Sequence, residues 1–351
     1  MNLNSASILP SFALSGTNEL FSLPETGFLT RALELFRFQY SENGLYRQYT
    51  QTLGVDPDSV RTLEAIPFLP VSFFKTHTVR TEEGVHTSET MPIAPGGWKP
   101  QTVFESSGTT GMVSSRHEVK DLELYRRSFT AAFQRFYGPV NEWCIIGLLP
   151  AYLERRHSSL VLMVDELVRA SGHPDSGFYL YEHEVLHERL SKLERAGQKT
   201  LLIGVTFALL DFAERYPMNL QHTVIMETGG MKGRRKEITR AELHEYLTGR
   251  LGVKTIHAEY GMTELLSQAY SSGKGLFNCP PWMKILVRKE DDPLDVTTEG
   301  EGIINVIDLA NIWSCAFIAT EDVGRIYPNG RFEVSGRVDN SDIRGCSLLV
   351  V

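Results

Sequence analysis

The run from Val103 to Ser115 contains Ser106, Ser107, Gly108, Thr109, Thr110 and Gly111, four short hydroxyl side chains punctuated by two glycines. Glycine lets a main chain approach a ligand closely, and serine and threonine add donors without bulk. A loop of this kind can turn several N–H groups toward one point, and the guest that suits such a nest is a phosphate. It is not a Walker loop, which closes on Gly-Lys-Ser/Thr, because Gly111 is followed by Met112 and Val113. The same hexapeptide also reads as a flexible turn, and its residues alone leave both readings open.

Four further polar or glycine-rich stretches punctuate the chain. Glu227 to Met231 holds Gly229 and Gly230, and Glu259 to Glu264 holds Tyr260, Gly261 and Thr263. Ala319 to Gly324 holds Asp322, and Gly336 to Asp339 holds Arg337. The first three each follow an apolar run, and in parallel α/β sheets ligands gather beyond the carboxyl ends of the strands. Each stretch has a plainer reading. Gly229 and Gly230 suit a simple turn, Tyr260 a core aromatic, Glu264 a charge at a helix N-terminus, and Asp322 a hairpin cap. His157, between Arg156 and Ser158, reads as a surface residue and not a base.

The elements that must position these groups follow from periodicity. Thr30 to Tyr40 carries apolar residues on one helical face, as do Asp121 to Tyr137, Ser158 to Arg169, Phe207 to Tyr216 and Glu237 to Arg250. Val103 and Phe104 read as the end of a buried strand. Trp143 to Pro150, Lys199 to Val205, Thr223 to Met226 and Val253 to His257 read as strands between the helices, and Ile66 to Lys75 as proline-punctuated extended chain. Strand and helix in alternation predict an α/β fold with mostly parallel strands over residues 1–275. From 276 to 335 short extended runs between Gly, Pro and Asp predict a smaller β-rich part, and 336–351 reads as a tail.

Composition narrows the function. The 351 residues are 42% hydrophobic and 22% charged, with a net charge of −8, which argues against nucleic acid or an anionic membrane surface as partner. The one basic cluster, Lys232 to Lys236, reads as a solvated helix start in preference to an anion site. No apolar run approaches a membrane span, and Met1 to Pro10 lacks the charged start of a signal peptide. Cys144, Cys279, Cys315 and Cys346 follow neither a metal-ligand nor a disulfide spacing, so a cytoplasmic, reduced protein is expected. Cys144 and Cys315 lie in apolar runs and read as core, and Cys279, before two prolines, as a loop residue.

Taken in order, the five stretches resemble the adenylate-forming superfamily of acyl-CoA synthetases, luciferases and peptide-synthetase adenylation domains. Pro67 to Lys75, Leu149 to Arg155, Glu227 to Arg235 and the ending Arg344, Gly345 and Cys346 resemble, more narrowly, the acyl-protein synthetases of the LuxE type. That resemblance implies the large N-terminal domain of the adenylate-forming fold, here one composite domain over 1–351 without the family's mobile C-terminal lid. It implies ATP and Mg²⁺ as cofactors and activation of a carboxylic acid, a fatty acid above all, as acyl-AMP, followed by a thioester on Cys346. It makes Ser106 to Gly111 the cradle of the β- and γ-phosphates, and Gly229 and Gly230 walls beside adenine. Tyr260 becomes a ring against the base with Gly261 next to it, Thr263 an α-phosphate donor and Glu264 a Mg²⁺ ligand. Asp322 becomes the acceptor of the ribose hydroxyls, and Arg337 sits near phosphate or ribose. An acyl-accepting reductase or carrier protein is the partner it implies. Two other outcomes are transfer of the acyl group to coenzyme A or a carrier thiol, and a nucleotide-binding protein without catalysis. One departure stands out. Where the superfamily's hydroxyl loop usually continues to a lysine, this chain has Ser114, and Arg116 is the nearest cation in sequence.

Overall fold

The computed structural model describes residues 10, 18–82, 98–106, 113–149, 157–229 and 238–338. Fifteen strands are present among them: β1 (Leu69–Pro70), β2 (Thr102–Glu105), β3 (Arg116–Val119), β4 (Cys144–Leu148), β5 (Gly177–Phe178), β6 (Thr200–Val205), β7 (Thr223–Thr228), β8 (Ile256–Tyr260), β9 (Ala269–Ser271), β10 (Phe277–Asn278), β11 (Met283–Arg288), β12 (Val296–Thr297), β13 (Gly300–Asp308), β14 (Phe317–Ile326) and β15 (Phe332–Arg337). Thirteen belong to one sheet, whose main path runs β12-β11-β13-β14-β15-β10-β9-β8-β7-β6-β4-β5, with β1 added alongside β14. Strands β5, β4, β6, β7 and β8 are parallel, and from β9 onward the pairing along the main path is antiparallel.

The parallel half is built as its apolar runs require. All five residues of β4 and all six of β6 are buried, the pattern of strands covered on both faces. The helix Leu122–Tyr137 buries Leu124, Tyr125, Phe129 and Phe133 on one face. Asp121 caps it by accepting from Leu124 N at 3.1 Å, and Gly138 follows its last turn with φ +83°. The helix Arg240–Leu251 starts on a reciprocal pair in which the Thr239 hydroxyl takes the Glu242 N–H and the Glu242 carboxylate takes the Thr239 N–H.

Three local expectations change in three dimensions. Phe73–Thr76 is a single helical turn after β1, because Phe74 turns into the core, and so Ile66 to Lys75 is extended only in part. Strand β2 pairs with β3 in a separate two-stranded antiparallel ribbon, outside the main sheet. The strand that leads into Ser106 is therefore an arm of a hairpin and not a parallel strand of the sheet. Ala319 to Gly324 lies inside β14, where Asp322 is the register partner of Arg337 on β15. A mid-strand carboxylate is not a hairpin cap.

The irregular chain between β8 and β9 is held from outside. Asp308, fully buried at the end of β13, accepts from Leu266 N (2.7 Å), Ser267 N (3.0 Å), Ser267 Oγ (2.5 Å) and Ala310 N (3.1 Å). Burial raises its pKa, and these four donors oppose that rise. Replacing Asp308 by Ala strands three backbone N–H groups in the core. Each buried donor left unpaired costs about 1–3 kcal/mol, so we expect Asp308→Ala to lower the unfolding free energy by at least ~2 kcal/mol in urea titration. An unchanged midpoint would show that this clamp does not carry the loop.

Candidate functional site

A cavity of about 650 Å³ opens at the carboxyl ends of β7 and β8. Its size falls within the range of small-molecule sites. Of the residues singled out in the sequence, Ser106, Gly229, Gly261, Thr263, Glu264 and Arg337 line it. Ser107, Gly108, Thr109, Thr110, Gly111, Gly230 and Cys346 lie outside the described residues, as does the basic cluster Lys232 to Lys236.

The hairpin fixes the base of the hydroxyl loop. Ser106 N donates to Ser115 O at 3.1 Å and Ser115 N to Ser106 Oγ at 2.9 Å, so the two ends of the loop are clamped together. Glu105 N donates to His157 O at 2.9 Å, which joins the hairpin to the start of the helix Ser159–Ser171. On β3, His117 is fully buried, with Nδ1 2.9 Å from the Thr263 carbonyl and Nε2 3.2 Å from Asn311 Oδ1. A neutral imidazole has one N–H, and the shorter contact marks it as Nδ1–H donating to Thr263 O. Burial pushes the His117 pKa down to about 4, in keeping with the neutral ring. Asn311 Nδ2 donates to Glu264 O at 2.8 Å. The carbonyls of both Thr263 and Glu264 are thus held by other elements.

Glu264 has 4% of its surface exposed and follows β8 in a turn, so the helix-terminus reading of this residue fails. Burial lifts its pKa, opposed by a hydrogen bond with Ser115 and by the cations Arg337 and Lys75. A half-buried Lys75 lines the cavity, and no described carboxylate lies within 4 Å of it. Sequence distance had pointed to Arg116 as the nearest cation. Arg116 instead faces Glu105 at 3.6 Å with a largely exposed side chain. Lys75 escaped sequence reading because it arrives from the helical turn after β1, some thirty residues upstream, and its only signal was the Pro67 to Lys75 resemblance.

Tyr260 and Asp322 are brought together behind this wall. The Tyr260 hydroxyl donates to Asp322 Oδ2 at 2.9 Å, and its ring packs on Phe277 and Phe332 with centroids 6.0 and 5.5 Å away. Arg337 Nε lies 3.4 Å from Asp322 Oδ1. Burial raises the Asp322 pKa, and Arg337 acts against the rise. Gly229 has φ +68°, which favours glycine, and its carbonyl accepts from Thr206 Oγ1 at 2.7 Å. Cys144 and Cys315 are buried, and burial holds the Cys279 thiol up at about 12, so none of the three is a ready nucleophile.

Several wall residues were not foreseen. Glu259 stands beside Thr228 in the register of β8 and β7, and Thr228 Oγ1 donates to its Oε2 at 2.6 Å. A Cβ on Gly261 would come within 2.3 Å of Glu259 Oε1, so glycine is required there for the carboxyl to sit over the backbone. Burial and, less strongly, Glu227 raise the Glu259 pKa to about 7, against the Thr228 hydrogen bond. His157, Tyr125, Met163 and Gln268 complete this side, His157 at the exposed rim. Strand alternation could have signalled Glu259, which shares a face with His257 and opposes Tyr260.

The arrangement fits an anionic, multi-oxygen guest: two cations, a hydroxyl loop closed at its base, and a buried carboxylate whose charge calls for compensation. Mg²⁺ takes one or two carboxylates together with phosphate oxygens, so the Glu264 carboxylate suits it. Among the described residues there is no cluster of three acidic, His or Cys groups that would hold a metal by itself.

Comparison with known proteins was made on this geometry. The family profile described as "Acyl-protein synthetase, LuxE" matches residues 18–351. A long-chain-fatty-acid–luciferin-component ligase of Aliivibrio fischeri is 24% identical over 347 residues, 90% of this chain and 85% of that one. Among solved structures, a 2-hydroxyisobutyryl-CoA ligase superposes with a TM-score of 0.65 at 13% identity, over 92% of this chain and 70% of that one. ATP-bound MatB of Rhodopseudomonas palustris does so with a TM-score of 0.53 at 15% identity, over 87% and 61%. These likenesses show the fold, that of the adenylate-forming enzymes. The chain spans 61% of MatB, and 47% of an ATP-bound chimaera containing it.

The raised pKa of Glu259 has a measurable consequence. Folded protein holds the Glu259 proton up to about pH 7, whereas an unfolded glutamate releases it near its ordinary value of 4.5. The folded state therefore binds more protons in that window, and this residue's contribution to stability falls as pH rises through it. Glu259→Gln should make the pH dependence of urea stability between about 4.5 and 7 less steep, by up to about 1.4 kcal/mol per pH unit. Parallel curves for the two proteins would mean that Glu259 ionises as it does in water.

Proposed function

This chain belongs to the acyl-protein synthetase family of the LuxE type, a class of AMP-forming acid–thiol ligases, and from that premise we propose that it activates a carboxylic acid with ATP and retains the acyl group as a thioester on Cys346. In the first step a carboxylate oxygen of the acid forms a bond to the α-phosphorus, and the bond from that phosphorus to the bridging oxygen breaks to release pyrophosphate. In the second the Cys346 thiolate attacks the acyl carbon, and AMP leaves with the oxygen that joined them. The observation that carries this reading is the held Thr263–Glu264 segment on the cavity wall, with Lys75 and Arg337 nearby.

Little covalent work falls to the protein in such a reaction. Positioning and neutralisation of charge dominate. The Ser106 to Gly111 loop cradles the outer phosphates, and Lys75 supplies the positive charge that Ser114 does not. Thr263 donates to the α-phosphate, and Gly229 and Gly230 flank the base. Tyr260 positions Asp322, whose carboxylate accepts from the ribose, and Arg337 neutralises charge beside it. Glu264 is the residue that would hold Mg²⁺. When bound, that ion screens phosphate oxygens and steadies the leaving pyrophosphate. The acid is a fatty acid, in line with the name of the Aliivibrio fischeri relative. The thiol is that of Cys346, beyond β15 in sequence, whose last residues Gly336 and Arg337 pair with β14 and are therefore not part of a tail; an acyl-accepting reductase or carrier protein takes the product, and the protein works in the cytoplasm. Among the described residues no helix is long and apolar enough to cross a membrane.

Two variants test the two steps. Glu264→Gln keeps shape and loses charge, so it should abolish ATP–pyrophosphate exchange while circular dichroism stays native. Normal exchange in the folded variant removes Glu264 from the mechanism. Cys346→Ser should still exchange pyrophosphate but fail to keep a hydroxylamine-sensitive acyl group, read by intact mass. A thioester retained on Cys346→Ser would place the acyl group on another cysteine, and no acylation of the unmodified protein with any acid that supports exchange would favour an external acceptor such as coenzyme A.

A further inference from the structure

A second cavity, of about 330 Å³, lies on the same face of the sheet as the first but at the other end of its strands. Val224, second in β7, and His257, second in β8, line it together with Phe136, Tyr137, Trp143 and Tyr270. On the same two strands the first cavity meets Thr228 and Glu259. Side chains two and four apart on a strand share a face, so both cavities sit on one side of the sheet. The helix Leu122–Tyr137 gives Tyr125 to the first and Phe136 and Tyr137 to the second. Glu259 on β8 and Tyr270 on β9 are register partners, and each lines a different cavity. At that point one pair of side chains separates the two spaces. The Tyr270 hydroxyl makes no hydrogen bond among the described residues, and its ring packs edge-on against Tyr137 at 5.6 Å. Swinging the ring aside breaks apolar contacts but no hydrogen bond.

The second cavity suits hydrocarbon. Its walls are chiefly aromatic, and the polar atoms of two of the rings are already engaged. Trp143 Nε1 donates to Tyr137 O at 3.1 Å, and the Tyr137 hydroxyl lies 3.2 Å from His257 Nδ1. An apolar guest leaves these pairs intact. Length agrees as well. Thr228 to Val224 is four residues of strand, about 13 Å, while a long acyl chain spans about 15 Å, half the hydrocarbon core of a bilayer. The first cavity must also seat the nucleotide, which leaves little of its space for such a chain. Glu259 holds its proton up to about pH 7, and a neutral carboxyl costs less to cover with hydrocarbon than a charged one.

We propose that the fatty acid lies along this seam, its carboxyl group in the first cavity and its methyl end in the second, with displacement of Tyr270 joining the two. The inference rests on the acyl-adenylate reading for the identity of the ligand. It assigns the second cavity as the seat of the chain's far end, and so as the site that sets the preferred chain length. No bond is made or broken there.

The test uses the full chain and tetradecanoic acid bearing a photoreactive diazirine at its methyl end. Irradiation with a non-hydrolysable ATP analogue present, followed by peptide mass mapping, should place the label within Phe136–Trp143 or beside Val224, His257 or Tyr270. Excess tetradecanoic acid should remove it. Label confined to the first cavity, on Met163 for example, or to the outer surface overturns the inference. A series from hexanoic to hexadecanoic acid gives a second reading. Each methylene that enters apolar surroundings adds roughly fourfold to binding, so kcat/KM in ATP–pyrophosphate exchange should climb toward the longer acids. Ser272→Trp, at the exposed rim of the second cavity, sets a large ring in that space. It should cut the tetradecanoic-to-octanoic ratio of kcat/KM about tenfold or more, the worth of two such methylenes. An unchanged ratio in the folded variant also overturns the inference, and if the variant does not fold, the label in the unaltered protein decides. Exchange keeps the two readings apart. Label in the second cavity without exchange upholds the seat and sinks adenylation, whereas exchange with the label elsewhere sinks the seat alone.

Discussion

The buried carboxylate of Asp308 is the constraint on which the site's geometry depends. The segment from Gly261 to Gln268 is irregular, so it has no ladder of its own to fix it. Asp308 gives three of its neighbours' N–H groups and one hydroxyl a single acceptor deep in the core. A charged acceptor forms stronger hydrogen bonds than a neutral one, and removal from water is tolerable only because the donors are all in place. His117 and Asn311 then hold the two carbonyls at Thr263 and Glu264. Asn311 is itself anchored, since Gln39 Nε2 donates to the carbonyls of Asn311 and Ile312 and Gln39 Oε1 accepts from Ala316 N. A helix near the chain's start, a hairpin and the antiparallel half of the sheet therefore converge on one loop.

The cavity's electrostatics follow from the same convergence. Glu259, Glu264 and Asp322 all have pKa values raised chiefly by burial, so the site is short of positive charge where carboxylates crowd. Lys75 and Arg337 answer this in part. Arg337 is half-exposed, and its contact with Asp322 contributes little to stability while still orienting the carboxylate. Positive charge brought by a ligand or an ion would offset what burial costs these carboxylates.

The strands and helices of the parallel half could be read from the chain because each carries its signal within itself. The continuous apolar runs of β4 and β6 and the one-sided pattern of Leu122–Tyr137 are local records of burial. So too the stretch from Gly261 to Glu264, whose position after an apolar strand marked it as ligand-facing. The hairpin of β2 and β3 was less legible. A short strand looks alike in a sheet or a ribbon, and only the partner tells them apart. Asp322 was misread as following a strand because β14 is ten residues long and carries polar residues in its middle.

What the sequence alone determined, then, is the family and the alternation of strand and helix in the parallel half, though not the helix His183–Arg195 or the short strands β3 and β5, since periodicity and motif spacing are written along the chain. What only the tertiary structure decided is which groups meet. Lys75, not Arg116, faces Glu264 across the cavity, and Tyr260 spends its hydroxyl on Asp322. Glu259 and Gln268 close over Gly261. The physical reason is that each of these depends on through-space distance between segments far apart in sequence. Burial, which raises the pKa of Glu259, Glu264 and Asp322, is a property of the packed whole and leaves no mark on the residues' spacing.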